Sequence, residues 1–191
     1  MPALRRTLVV VLLAALLAAC GDDTPDRPSE AADKPVAPPA GWRTVRNVPA
    51  GFTIAVPKRW TAATKRAATL IRSKDQLVAV TVAADRSPAG KESAPAKYAR
   101  EVIASLPGFE GAVSVKDAQV AGSPYETAVA EGTGTVKTSS VAQRIEVAAF
   151  HRPRQVTYSA VIFRNARARP PPGRATVARM LRSFRAQPAG G

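Results

Sequence analysis

Two stretches of this chain carry apolar residues at the period of a helix, and most of what lies between them alternates at the period of a strand. In the first, Ala99, Val102, Ile103 and Leu106 follow at i, i+3, i+4 and i+7. Ser93 is placed to cap it, Pro95 sits in the first turn, and Pro107-Gly108 ends it. In the second, over 174–185, Val177, Met180, Leu181 and Phe184 form one stripe, and Pro188 closes it. Strands are expected at 42–47, 52–56, 68–72, 77–83, 113–120, 125–135, 141–150 and 155–163. Val78, Val80 and Val82 share one face, and Ile145, Val147 and Ala149 alternate with Arg144, Glu146 and Ala148 as in a half-exposed strand. Short connections favour antiparallel neighbours. The reading is an α+β fold, an antiparallel sheet flanked by helices, in the order ββββ-α-ββββ-α.

Upstream of the first strand the chain is of another kind. Arg5 and Arg6 precede an unbroken apolar run over residues 8–19. Twelve residues are too few for a membrane-spanning helix, which needs about 20, but they fit the apolar core of a secretory signal. The run ends in Leu17, Ala18, Ala19 and Cys20, the only cysteine among 191 residues. This ending resembles the bacterial lipoprotein signal. The resemblance implies cleavage after residue 19 and a diacylglyceryl anchor on Cys20, with palmitate among its acyl chains. Two chains hold a domain stably at a membrane where one does not. The expected location is the extracytoplasmic face of the cell membrane, reached through the Sec route rather than the twin-arginine one.

Residues 21–41 contain five prolines, no aromatic residue and one large aliphatic side chain, Val36. Such a segment cannot offset its chain entropy by burial and reads as a tether. The chain therefore divides into a signal (1–19), a lipidated Cys20 with its tether (20–41), one domain (42–186) and a short tail (187–191). The tether holds more acids than bases, so 42–191 carries 24 basic against 9 acidic residues.

Trp42, the run Gly51-Phe52-Thr53-Ile54-Ala55-Val56-Pro57, and Trp60 resemble the opening of PsbP-like domains, which is shared by small LpqN-type lipoproteins of actinobacteria. Met180-Leu181-Arg182-Ser183-Phe184 resembles the end of their terminal helix. The resemblance implies an α-β-α sandwich and a non-enzymatic binding or assembly role, and it carries over no ligand residue. Physically, Gly51 supplies a turn conformation, Pro57 ends a strand, and both tryptophans serve core packing, with contact to a ligand the alternative.

Sites of covalent chemistry are sparse. A single Cys excludes an intrachain disulfide, and a single His excludes a His-pair zinc site. His151, the one candidate base for a hydrolytic triad, is expected in a surface turn beside two arginines. Carboxylates such as Asp85, Glu101, Glu131 and Glu146 read as dispersed, with no dyad spacing. Gly132 to Thr138 (GTGTVKT) lacks the Gly-Lys-Thr ending of a phosphate loop and reads as a turn between strands. No catalytic residue, metal site or cofactor is expected.

What remains is basic charge. Arg152 and Arg154 come from one turn, and Arg164, Arg167, Arg169 and Arg174 from a proline-stiffened loop. They are candidate anion-binding residues, in two patches rather than one if the intervening strands form a hairpin. Export argues against nucleic acid as the partner, as does the lack of interleaved aromatics. The expected partners are the membrane, through Cys20, and an envelope protein. The alternative is direct electrostatic binding of an anionic envelope polymer or lipid, and a second alternative is a hydrolase whose site is not visible in the sequence.

Overall fold

The computed structural model describes residues 37–116, 118–137, 139–152, 154–168 and 170–187. The signal, Leu17 to Cys20, most of the tether, and Arg169 lie outside the described residues. The first half of the domain holds β1 (Trp42–Asn47), β2 (Phe52–Pro57), β3 (Thr61–Lys65), β4 (Ala68–Arg72), β5 (Val78–Asp85), α1 (Pro88–Glu92) and α2 (Pro95–Ala104). The second half holds β6 (Glu110–Lys116), β7 (Glu126–Val136), β8 (Ser139–Arg152), β9 (Val156–Asn165), α3 (Arg174–Arg182) and β10 (Arg185–Ala186). The fold is α+β and every strand pairing is antiparallel. Seven strands form one sheet in the order β3-β4-β5-β9-β8-β7-β6, and β1-β2-β10 form a second.

The large sheet is covered on both faces. On one, Val78, Val80 and Val82 of β5, Ile162 of β9 and Phe150 of β8 pack with Phe52, Ile54 and Val56 of β2 and with Val177 and Met180 of α3. Phe184 sits at the centre of this layer, stacked on Phe150 at 4.5 Å and 5.0 Å from the Tyr158 ring. On the other, Ile145, Val147 and Ala149 of β8 meet Tyr98, Ala99 and Ile103 of α2. Gly51 adopts φ +74° in the turn before β2, a conformation side chains resist, and Pro57 ends that strand.

The element order is richer than the alternation suggests. β3 is an edge strand whose five residues are mostly exposed, so it shows no apolar period. α1 has no apolar stripe either, and is set by local chemistry: Pro88 opens it and the Ser87 hydroxyl accepts from Gly90 N. Ser93 closes α1, and the N-cap of α2 is Ala94. β10 is two residues long and exists because β2 has a free edge for it.

Two further expectations are corrected. Gly132 to Val136 belong to β7, not to a turn; a Cβ on Gly132 would lie 2.9 Å from Ile103 Cγ2, so this glycine lets α2 approach the sheet. His151 is 8% exposed and lies within β8, opposite Glu126 and Thr157. The Thr157 hydroxyl donates to Gly90 O, so its oxygen must accept from His151 Nδ1, 2.7 Å away. The histidine ties β8 and β9 to α1, a structural role.

Candidate functional site

β8 is buried on both faces along Val147 to Phe150, but its α3-facing side changes character toward Arg144. Strand register sets three cross-strand rows there. Val129 stands opposite Ala148, Glu131 opposite Glu146, and Arg144 opposite both Thr133 and Arg164. An apolar row, an acidic row and a basic row thus follow one another along the strands. Above them α3 presents Arg174, Ala178, Leu181 and Arg182, one face at spacings of four and three residues. Ala118 to Ala121 form the side wall, held where Val120 N donates to the Thr127 hydroxyl at 3.0 Å. The result is an open cleft of about 460 Å³, within the size range of small-molecule sites.

Its electrostatics are one-sided. Among the described lining residues Lys116, Arg144, Arg164, Arg174 and Arg182 face Glu131 and Glu146, a surplus of three positive charges. Lys116 Nζ is 2.6 Å from Glu131 Oε1, and Arg164 Nη1 is 3.0 Å from Glu146 Oε2. Arg164 is 3% exposed and also donates from Nε to Pro172 O at 3.2 Å. No carboxylate among the described residues pairs with Arg144, Arg174 or Arg182.

The structure brings only part of the sequence-derived arginine set together. Arg164 and Arg174 line this cleft. Arg167 is exposed beyond the end of β9, where its N–H bonds Asn165 Oδ1. Arg152 ends β8, eight residues along the strand from Arg144 or about 26 Å, and Arg154 lies in the β8–β9 turn. They form a separate patch. Trp42 and Trp60 are half-buried against the main core and do not line the cleft; the Arg179 guanidinium lies 5.7 Å from the Trp42 ring. Sequence reasoning missed Lys116, Arg144, Glu131 and Glu146, which only the β6–β9 register assembles.

Glu131 and Glu146 correct the expectation of dispersed carboxylates, since they oppose each other directly on the cleft floor. A hydrolytic pair divides labour between a carboxyl that holds a proton and one that does not. Here each carboxylate is bound by its own cation. No group of three or more His, Cys, Asp or Glu able to hold a metal occurs among the described residues. No described helix is long and apolar enough to cross a membrane.

No family model and no curated protein matches the chain. Among solved structures, a protein of Bacteroides thetaiotaomicron superposes with a TM-score of 0.53 at 9% identity, over 79% of this chain and 50% of that one. This chain thus spans half the length of that neighbour, and the likeness is one of fold. LpqN of Mycobacterium tuberculosis, described as involved in cell envelope biogenesis, gives a TM-score of 0.40 at 13% identity, over 81% of this chain and 90% of LpqN.

Proposed function

We propose that this chain is a lipid-anchored, extracytoplasmic module with a PsbP-like architecture that binds an anionic component of the cell envelope beneath α3. In this reading it is not an enzyme. The placement is supported by the lipoprotein-like signal ending at Cys20 and by the proline-rich tether behind it. The binding role is carried by one observation, the cleft with its surplus of three positive charges and its apolar row. A protein partner held by apolar contact is the other binding mode the sequence suggests. An anion is favoured because the arginines without a described carboxylate partner, Arg144, Arg174 and Arg182, all line the cleft.

The reading is tested on the full-length protein in its native membrane. Wild type should stay in the membrane fraction through a high-salt wash, and Cys20→Ala should move to the soluble fraction. Bound anionic material should leave as ionic strength rises from 0.1 to about 1 M, where the screening length falls from about 10 Å to about 3 Å. Membrane retention by Cys20→Ala would refute the anchor. Retention at high salt of a single protein partner, with no anionic material released, would refute the anion.

A further inference from the structure

We propose that the basic end of the cleft is a phosphate site that takes a phosphate monoester on a small carbon frame; this rests on the cleft being the binding site. Arg144 and Arg164 stand directly opposite each other on β8 and β9. Like charges so placed destabilise a sheet unless something lies between or beside them. Glu146 offsets Arg164 alone. Arg174 belongs to the same end, because Pro172, whose carbonyl holds Arg164, is two residues before it. Arg144 and Arg174 thus bring two positive charges that no described carboxylate balances. Arg164 adds a fixed donor: Nε and Nη1 are engaged, and Nη2 has no hydrogen-bond partner among the described residues.

Charge count selects the ligand. A carboxylate brings one negative charge, whereas a phosphate monoester carries about −1.5 to −2 at pH 7 with three strong acceptor oxygens. As a single group the second matches two uncompensated guanidiniums converging on one end of the cleft, and three oxygens suit donors arriving from β8, β9 and α3; a dicarboxylate carries the same charge but spreads it over two groups. The cleft volume of about 460 Å³ exceeds what a bare anion fills. The remaining space lies over Val129, Ala178 and Leu181, so the carbon frame is short and partly apolar. A soluble polyol phosphate and the headgroup of a phosphatidate both present this chemistry.

The test is calorimetric titration of the full-length protein in dodecyl maltoside micelles. The probes are glycerol 3-phosphate, succinate, and mixed micelles doped with phosphatidate. Glycerol 3-phosphate or phosphatidate should bind, and R144Q and R174Q should each weaken it about tenfold or more, the scale of a lost charged hydrogen bond. R154Q, at the far turn, should leave it unchanged. Affinity should fall as pH drops from 7.5 to 5.5, because the phosphate takes up a proton near pH ~6 while the arginines stay charged. Sensitivity to both variants with phosphatidate alone assigns a lipid source, and with the soluble ester a polyol phosphate. Undiminished binding by R144Q or R174Q overturns the assignment. Succinate binding as tightly overturns phosphate but leaves the cleft reading standing. A folded protein that binds none of the three overturns the phosphate site, and release or retention of anionic material under salt then decides the cleft reading.

Discussion

Removing the Glu146 carboxylate should unfold this protein more readily than its partly exposed position suggests. Arg164 is 3% exposed, and Glu146, at 21%, is its only ionic partner among the described residues, at 3.0 Å. Deleting one member of a buried pair costs about 3–5 kcal/mol, because the other charge is left without compensation. The partial exposure of Glu146 lets solvent screen the pair, which brings the expected cost of Glu146→Ala down to about 2–3 kcal/mol. For a domain of this size that is a fall in Tm of about 5–10 °C. The double variant Glu146→Ala/Arg164→Met removes both charges and should recover most of the loss, since replacing a buried pair by apolar side chains is often neutral. Urea unfolding of wild type, both single variants and the double variant gives the coupling energy directly. A coupling below about 1 kcal/mol would refute the reasoning, as an exposed surface pair contributes no more than this.

Other consequences follow from the core. Burial first, then the Asp85 carboxylate, hold the Tyr98 phenol well above its usual value of 10.0. The stability this adds is complete below pH 10 and is lost as pH rises beyond it; Tyr98→Phe should flatten the alkaline limb of a stability–pH curve. Thr157→Val leaves Gly90 O and His151 Nδ1–H without their shared partner, and should cost about 1–3 kcal/mol in chemical denaturation. Gly132→Ala pushes a methyl against Ile103. Overpacking of this kind costs about 1–3 kcal/mol, and hydrogen exchange should show faster opening in α2 and β7 than in β5.

The sheet was legible where side chains alternate and the helices where they recur at 3.6. Val78, Val80 and Val82 all point into the main core, as do Val177, Met180 and Leu181. β3, α1 and β10 were not legible: an exposed edge, a capped turn and a two-residue strand leave no period to read. The cleft was half legible. Clustering of basic residues marked Arg164 and Arg174, but their neighbours depend on register. A hairpin that kept the Val136–Ser139 pairing throughout would set Glu131 opposite Arg144. The irregularity between Gly134 and Val136 shifts the pairing by two residues, so Glu131 meets Glu146 and Thr133 meets Arg144. A two-residue shift keeps each side chain on its face but changes every cross-strand partner beyond it, and nothing in the local sequence announces it. His151 was misread for a related reason, since β8 runs two residues beyond Phe150.

The central claim is that the cleft beneath α3 holds an anionic ligand, and site-specific photocrosslinking in living cells tests it most directly. A photoreactive residue in place of Ala178 lies on the cleft roof, and one in place of Ala63 lies on the exposed β3 edge as a reference. Mass spectrometry of the recovered full-length protein should find an adduct at position 178, none at 63, and loss of the adduct when R144Q and R174Q are added. Equal labelling at both positions, or an adduct at 178 that survives both arginine substitutions, would contradict the account.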